Sequence, residues 1–176
     1  MRRAIFLDRD GTINCTVLQD RRSYPPTSAG EFELLPDVEE ATQALKSAGF
    51  LLVVVTNQPD VGTGRQSRAV VEAIHARLRR LLPIDDVRVC YHIDADHCTC
   101  RKPEPGMLLA AAAEWGIDLK ASYMIGDRWR DITAGRAAGC RTIFIRNAYD
   151  ERQPADYDLV VRSLREASEA ILTGGV

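Results

Sequence analysis

Two aspartates, Asp8 and Asp10, stand two residues apart directly after the unbroken apolar run of residues 4–7. Such a run is typical of a central parallel strand that is buried on both faces. Because residues i and i+2 of an extended chain project to the same side, both carboxylates are expected to face one site. Gly11 lets the chain turn away at the carboxyl edge of the sheet, where open α/β sheets bind ligands. The pattern therefore predicts a site for a divalent cation, or a nucleophile beside a general acid.

Polar side chains also follow the other predicted strands: Thr56, Asn57 and Gln58 after the second, Arg101 and Lys102 after the third, and Asp127 after the fourth. Asp131 lies four residues beyond Asp127, which predicts that both share one face of a helix. Each of these residues alone is also typical of a helix cap or a turn. Together, at one edge of a parallel sheet, they indicate a phosphate and metal site, in which carboxylates bind the cation and a hydroxyl and an ammonium bind phosphoryl oxygens.

A second cluster of ligand-type residues lies in the loop 90–100, which holds Cys90, His92, Cys98 and Cys100. Thiolates and an imidazole in a closed set of four suit a structural zinc ion, and the alternative is a group of free thiols. His97 could replace His92, but it adjoins Cys98 and would strain the chelate. A zinc ion here would fix the direction of Arg101 and Lys102, which follow the last ligand. Cys15 and Cys140 lie outside the cluster, and no role is predicted for them.

Strands that alternate with helices must position these groups, which predicts an α/β fold with a doubly wound, Rossmann-like parallel sheet and right-handed crossovers. Besides the first strand, the predicted strands are 50–56, 87–91, 123–125, 141–145 and a last edge strand at 159–161. The predicted helices are 37–49, about 70–82, 105–113, 126–139 and 163–174, with a loop or small hairpin flap at 12–36 and a second loop at 59–64. We expect one domain over 1–176.

Local signals refine three of these helices. Asp37 and Glu40 form a predicted capping box, as do Ser163 and Glu166 at the last helix. His75 is predicted to be an ordinary surface residue beside the apolar stripe of its helix.

The composition excludes several classes of partner. The chain has 176 residues, with 23 Lys and Arg against 25 Asp and Glu and a net charge of −2, so neither nucleic acid nor an anionic membrane is an expected partner. No apolar run approaches the length of a signal peptide or of a membrane span. We therefore expect a cytoplasmic protein, and a monomer.

Four segments together resemble the haloacid-dehalogenase-like (HAD) phosphohydrolases: Asp8-Arg-Asp10-Gly-Thr12, Thr56-Asn57-Gln58, Cys100-Arg101-Lys102-Pro103 with its Cys/His loop, and Gly126-Asp127 with Asp131. Within that family the chain resembles the zinc-containing branch of D,D-heptose 1,7-bisphosphate and histidinol-phosphate phosphatases, over about residues 3–146. The resemblance implies a capless HAD-like fold.

The resemblance also implies roles for the site residues. Asp8 would be the nucleophile that forms an aspartyl-phosphate, and Asp10 would protonate the leaving oxygen and then deprotonate the attacking water. Mg²⁺ would be bound by Asp8, Asp127 and the backbone carbonyl of Asp10, with Asp131 supporting them. Thr56 and Lys102 would stabilise the phosphoryl group. The expected substrate-binding residues are Asn57, Gln58, Arg101 and Arg128.

Charge in the loops around the site separates the candidate substrates. The arginines Arg21, Arg22, Arg65, Arg101 and Arg128 suit a second phosphate group, which predicts removal of the 7-phosphate from D-glycero-D-manno-heptose 1,7-bisphosphate. Histidinol phosphate, the alternative, would be matched by acidic walls, for which Asp20, Asp60, Asp94 and Asp96 are available.

An alternative of another class is a phospho-accepting receiver module, which also combines acids, a threonine and a lysine on a doubly wound sheet. Its phospho-acceptor lies on a different strand from its carboxylate pair, whereas here Asp8 and Asp10 flank one position. Catalytic turnover, instead of a single stoichiometric phosphorylation, would separate the two.

Overall fold

A computed structural model describes residues 1–19, 22–147 and 151–176. Its strands are β1 (Ala4–Leu7), β2 (Val17–Gln19), β3 (Arg22–Tyr24), β4 (Leu51–Asn57), β5 (Asp86–Cys90), β6 (Tyr123–Gly126), β7 (Arg141–Ile145) and β8 (Leu159–Val161). Its α-helices are α1 (Val38–Ser47), α2 (Pro59–Gly62), α3 (Arg68–Leu81), α4 (Gly106–Trp115), α5 (Trp129–Ala138) and α6 (Leu164–Thr173).

Six strands form one parallel sheet in the order β5-β4-β1-β6-β7-β8, which confirms the predicted doubly wound α/β class. β1 lies in the interior of the sheet, where Phe6 is in register with Val53 of β4 and with Met124 of β6. Every residue of β1 is fully buried because helices cover both faces. The carboxyl end of β1, with Asp8 just beyond it, therefore opens at the centre of one sheet edge.

Alternate side chains of β1 enter two separate cores. Ile5 and Leu7 pack in a cluster with apolar residues of α1, α3 and α6, whereas Ala4 and Phe6 pack in a second cluster with residues of α4 and α5. Complete burial of an Ile, Leu or Phe side chain stabilises a fold by about 1.5–3 kcal/mol. The apolar run that precedes Asp8 is thus held by both cores.

The segment between β1 and α1 contains the predicted flap. β2 and β3 pair antiparallel, with Val17 opposite Tyr24, so the described part of this segment contains a small hairpin. The predicted flap residues Asp20 and Arg21 lie outside the described residues.

Of the two predicted capping boxes, the one at α6 forms only its N-cap half, and the one at α1 does not form. Ser163 Oγ accepts a hydrogen bond from the Glu166 N–H, as predicted, although the Glu166 carboxylate accepts from the N–H of Arg162 and not from that of Ser163. Asp37 precedes α1 with φ 62°, a left-handed conformation, and its side chain makes no capping hydrogen bond. Its carboxylate lies 3.5 Å from the Arg165 guanidinium on α6 instead, so an ion pair between helices replaces the predicted capping box.

Three other predictions are corrected by the structure. The loop expected at 59–64 begins with the short helix α2, because Pro59 supplies a φ suited to a first helical turn. Asp127 precedes α5 and is not part of it, so Asp127 and Asp131 do not meet through helical spacing. His75 is 3 % exposed and is not a surface residue, because α3 turns it toward the sheet.

No helix in the described ranges combines the length and the apolar composition that crossing a bilayer requires.

Gly135 in α5 provides a test of how closely this helix packs on the sheet. A methyl group at this position would lie 2.5 Å from Met124 Cβ and 2.9 Å from Thr142 Cγ2. We expect Gly135→Ala to lower the free energy of unfolding by about 1–3 kcal/mol through overpacking, although alanine is otherwise the better helix former. Urea unfolding of the variant and the wild type would measure this change in the free energy of unfolding. Gly30→Ala is the control, since its nearest neighbour would be Ser28 Oγ at 3.7 Å, and an equal effect at both sites would contradict the close packing.

Candidate active site and metal cluster

Three carboxylates meet at the centre of the sheet edge. Asp8 follows β1, Asp127 follows β6 and Asp131 lies in the first turn of α5, and their ligand oxygens lie within 4.8 Å of one another. Asp131 reaches the cluster because its Oδ2 accepts a hydrogen bond from the N–H of Arg128, which turns the side chain back over the helix start. All three are buried, and Asp127 Oδ2 has no hydrogen-bond partner among the described residues. A buried, unpartnered carboxylate oxygen in an all-oxygen set fits a hard divalent cation.

Lys102 is the positive charge that the cluster already contains. Its Nζ donates to Asp8 Oδ1 at 2.7 Å, to Asp131 Oδ1 at 2.6 Å and to the carbonyl of Val55 at 2.7 Å. The side chain is almost completely buried, which by itself lowers the pKa of Lys102, but the charges of Asp131 and Asp8 outweigh burial and raise it. Lys102 therefore stays protonated inside the protein.

The side chain of Asn57 places this lysine. Asn57 Nδ2 donates to the carbonyl of Lys102 at 3.0 Å, and the N–H of Lys102 donates to Asn57 Oδ1 at 3.1 Å. Both ends of the amide are thus used to hold the backbone of Lys102 beside the end of β4. Asn57, a predicted substrate-binding residue, lines the cavity, but its amide bonds the backbone of Lys102.

Two acids of the cluster, Asp8 and Asp127, are costly to ionise. Burial, aided by the charges of Asp131 and Asp10, raises the pKa of Asp8 to about 6 even though Lys102 opposes the shift. Burial and the charges of Asp8 and Asp131 raise the pKa of Asp127 well above its ordinary value. A bound cation would lower the pKa values of both Asp8 and Asp127, because a nearby opposite charge favours the ionised form of a carboxyl group.

Asp10 is held in the opposite electrostatic state. Arg9 donates to both of its oxygens through Nε and Nη2, at 2.8–3.2 Å, and Asn14 and Gln58 each donate one further hydrogen bond. Burial raises the pKa of Asp10, but the charge and hydrogen bonds of Arg9, together with the bonds from Asn14 and Gln58, lower it overall. The amide of Gln58 also donates to Thr56 Oγ1 at 2.8 Å, so Gln58 links two predicted catalytic residues.

A cavity of about 320 Å³ opens above these residues. Its floor includes Asp8, Asp10, Thr56 and Lys102, and its walls include Ser23, Tyr24 and Pro25 of the flap. Four arginines line it: Arg65, Arg101, Arg128 and Arg130. The structure thus brings the predicted catalytic and substrate-binding residues to one cavity.

Asp94 organises two of these arginines. Arg101 Nε donates to Asp94 Oδ1 at 2.7 Å, and Arg130 Nη1 donates to the same oxygen at 3.1 Å. Asp96 accepts from the backbone N–H of Ile93 at 2.8 Å. Of the acids that could have formed an acidic wall, Asp94 is therefore neutralised, Asp96 is used by its own loop, and Asp60 lines the cavity.

The Cys/His cluster forms as predicted at the end of β5. The Sγ atoms of Cys90, Cys98 and Cys100 lie 3.2–3.7 Å apart, and His92 Nδ1 lies 3.5 Å from Cys90 Sγ and 3.3 Å from Cys100 Sγ. A tetrahedral zinc with Zn–S bonds of about 2.3 Å has edges of about 3.8 Å, so the four ligand atoms fit one ion after a small expansion. His97 is not in the cluster; it has φ 48° and caps the turn at 94–96.

Three residues in and behind this site were not predicted from the sequence: Arg9, His75 and Arg130. Arg9 is fully buried and bonds Asp10. Its position between Asp8 and Asp10 was the available signal. Successive side chains of an extended segment point to opposite sides, so if both aspartates face the site, Arg9 must point into the protein. Arg130 lines the cavity two residues after Arg128, and only the position of Asp94 reveals its contact with the Cys/His loop.

Comparison with known proteins places the chain in a family. A family model described as HAD-hydrolase-like matches residues 99–167. The D-glycero-β-D-manno-heptose-1,7-bisphosphate 7-phosphatase of Pseudomonas aeruginosa is 37 % identical over 82 % of this chain and 82 % of its own length. The protein of the same name from Escherichia coli K12 is 36 % identical, over 96 % of this chain and 93 % of its own length.

A solved structure agrees with these relatives. The crystal structure of D,D-heptose 1,7-bisphosphate phosphatase from B. bronchiseptica, complexed with magnesium and phosphate, superposes with a TM-score of 0.85 at 30 % identity, covering 98 % of this chain and 99 % of that one. Fold and site define a HAD-like hydrolase, which removes the receiver-module alternative. Among these hydrolases, the chain belongs to the family of the D,D-heptose 1,7-bisphosphate phosphatases.

The raised pKa of Asp8 predicts an unusual pH dependence of stability in magnesium-free buffer. The folded protein binds this proton more tightly than the unfolded chain, so ionisation of Asp8 destabilises the fold as pH rises from the ordinary value of 3.8 to about 6. Asp8→Asn cannot ionise, so the difference in the free energy of unfolding between variant and wild type should shift in favour of the variant by about 3 kcal/mol from below pH 3.8 to above pH 6. This shift adds to a pH-independent cost of losing the charged contact with Lys102.

Urea unfolding of both proteins between pH 4 and 8 measures this difference. Glu39→Gln, on the exposed first turn of α1, controls for the general loss of one negative charge. A difference between Asp8→Asn and wild type that stays constant with pH would contradict the electrostatic account of the cluster.

Proposed function

We propose that this chain is a Mg²⁺-dependent phosphatase that removes the 7-phosphate from D-glycero-β-D-manno-heptose 1,7-bisphosphate and leaves the 1-phosphate. The observation that carries the proposal is a buried carboxylate, Asp8, which contacts Lys102 beneath an arginine-lined cavity. The names of the relatives support the heptose substrate and its β anomer.

Asp8 is the proposed nucleophile. One of its oxygens attacks the phosphorus of the 7-phosphate, the bond from phosphorus to the sugar oxygen breaks, and an aspartyl-phosphate forms. Lys102, a donor to Asp8 at 2.7 Å, stabilises negative charge on the transferred group, and Thr56 Oγ1 offers a further hydrogen bond.

Asp10 is the proposed acid and base. It gives a proton to the departing sugar oxygen, then takes one from the water that attacks the aspartyl-phosphate and releases phosphate. Its lowered pKa suits the second step. For the first step, the approaching phosphate dianion supplies negative charge that raises the pKa of a neighbouring carboxyl group, so Asp10 takes up its proton as substrate binds.

The proposed Mg²⁺ ligands are Asp8, Asp127 and the backbone carbonyl of Asp10, with Asp131 in support. A carboxylate and a phosphate dianion at 4 Å repel by about 8 kcal/mol at an effective dielectric constant of 20. Mg²⁺ would supply charge neutralisation and orient the phosphate. The unpartnered oxygen of Asp127 supports this ligand set.

The proposed second-phosphate site consists of Arg65, Arg101, Arg128 and Arg130. One guanidinium group can donate two parallel hydrogen bonds to two oxygens of a phosphate. Asp94 pairs with Arg101 and Arg130 and so holds both in fixed directions. This arrangement favours a bisphosphate over histidinol phosphate, whose amine and imidazole would need acids, because four arginines line the cavity against Asp60 on the acidic side.

The proposed structural ion is Zn²⁺, bound by Cys90, His92, Cys98 and Cys100. It would fix the loop between β5 and Lys102, and with it the position of Arg101. The four ligand atoms in one cluster support it, and no open position is implied for catalysis.

The nucleophile is tested by Asp8→Asn. We expect turnover to become undetectable while the circular dichroism spectrum is retained, because the variant lacks the attacking charge. Asp156→Asn, which changes an exposed carboxylate paired with Arg136, is the matched control and should keep wild-type activity. Near-normal turnover by Asp8→Asn would refute the mechanism.

The substrate is tested by comparing kcat/KM for the heptose bisphosphate and for histidinol phosphate. We expect the bisphosphate to be preferred, and Arg101→Ala to lower its kcat/KM by about 10- to 100-fold through loss of a charged hydrogen bond. Hydrolysis of p-nitrophenyl phosphate, which has no second phosphate, should fall much less. Arg165→Ala, on exposed α6, is the control. A preference for histidinol phosphate would sink the heptose assignment and leave the phosphatase chemistry intact.

The zinc site is tested by metal analysis of purified protein, for which we expect one zinc per chain. Cys98→Ser should lose the metal and lower kcat/KM through disorder around Arg101, with the sheet still folded. Cys15→Ser, outside the cluster, should retain both metal and activity. Active wild-type protein without zinc would end the proposal.

A further inference from the structure

Arg9 connects the active site to the core behind it. Its side chain is 0 % exposed, and Nε and Nη2 both donate to the Asp10 carboxylate. The remaining guanidinium nitrogen, Nη1, lies 3.0 Å from His75 Nε2 on α3. The guanidinium is therefore bound on two sides, by a carboxylate of the active site and by a buried imidazole.

This contact determines the form of His75. A guanidinium only donates hydrogen bonds, so Nε2 must accept, and a neutral imidazole then carries its proton on Nδ1. Burial, aided by the charge of Arg9, lowers the pKa of His75 to about 4, while Glu72 and Asp10 oppose the shift and Arg79 favours it. Nδ1 has no hydrogen-bond partner among the described residues, so the bond to Arg9 is the one that the imidazole makes there.

A neutral acceptor is the group that this position requires. A carboxylate at position 75 would compete with Asp10 for the charge of Arg9 and weaken the Arg9–Asp10 pair. An apolar residue would leave a buried guanidinium N–H without a partner, so that the guanidinium would be free to rotate away from Asp10. The imidazole satisfies Nη1 without competing for charge, and it holds the plane of the guanidinium against Asp10.

We propose that His75 is a positioning residue for acid–base catalysis, because it fixes the guanidinium of Arg9, which in turn holds the Asp10 carboxylate beside the reacting phosphate. This rests on the proposed function, specifically on Asp10 as the acid. His75 does not touch the cavity of about 320 Å³ and acts only through Arg9.

Two amide substitutions separate this role from general packing. The side-chain amide of glutamine reaches about as far as imidazole Nε2, whereas that of asparagine reaches only about as far as Nδ1. His75→Gln should therefore keep the acceptor for Arg9, and His75→Asn should lose it. Both are polar and close in size, and thermal unfolding checks that both fold.

The readout is the dependence of kcat/KM on the leaving group, since kcat/KM reports the steps up to departure of the alcohol. A sugar alkoxide must be protonated as it leaves, whereas p-nitrophenolate leaves without help. General acid catalysis contributes about 10²–10⁴-fold, so His75→Asn should lose at least about 10-fold on the heptose bisphosphate. The kcat/KM of His75→Asn for p-nitrophenyl phosphate should fall by less than about 3-fold. His75→Gln should recover most of the kcat/KM for the bisphosphate.

Two results would overturn the proposal: equal losses on both esters, which would indicate a merely structural role, and no loss in folded His75→Asn. If either variant does not fold, Arg9→Lys replaces it, since lysine keeps the charge but lacks the nitrogen that binds His75, and the same selective loss is expected. Wild-type protein that hydrolyses only p-nitrophenyl phosphate and histidinol phosphate would defeat the heptose assignment alone, and histidinol phosphate would then serve as the alkyl ester.

Discussion

The buried ammonium of Lys102 between Asp8 and Asp131 is the interaction on which the rest of the site depends. Removal of one partner from a buried ion pair typically lowers the free energy of unfolding by about 3–5 kcal/mol, because the remaining charge is left uncompensated in the protein interior. The fold must therefore bring together three segments that are distant in the sequence. They are the end of β1, the connection from β6 to α5, and the loop beyond β5. Asn57 completes the arrangement, since its amide holds the backbone of Lys102 at the end of β4.

Charge in the site is arranged in layers. In the buried layer, the carboxylates of Asp8 and Asp127 have raised pKa values and the cluster holds one lysine, an imbalance that a divalent cation would correct. In the layer above, four arginines line the cavity, and Asp94 holds two of them. The layers match a substrate with one phosphate at the floor and a second at the rim. Residues of the flap and of the Cys/His loop segment provide walls of this cavity.

The two aspartates after β1 illustrate how neighbours, and not residue type, set chemical roles. Asp8 and Asp10 are two residues apart, yet burial raises the pKa of one while Arg9, Asn14 and Gln58 lower that of the other. Pairs of titratable groups whose environments separate their pKa values are typical of acid–base sites. Among the groups that lower the pKa of Asp10, Arg9 contributes most, and its side chain is fully buried beneath the site.

The sequence by itself determined the class of fold, the central strand, the strand ends that meet at the cavity and the four members of the Cys/His cluster, because apolar runs, turn residues and ligand spacing are local signals. Strands β7 and β8 were predicted to the residue for the same reason. Only the tertiary structure decided the pairing of Arg9 with His75, the ion pair that replaces the cap of Asp37, and the contact of Arg130 with Asp94. Each of these joins residues at least 36 positions apart, and the direction of a long side chain across such a distance depends on packing that no local pattern records.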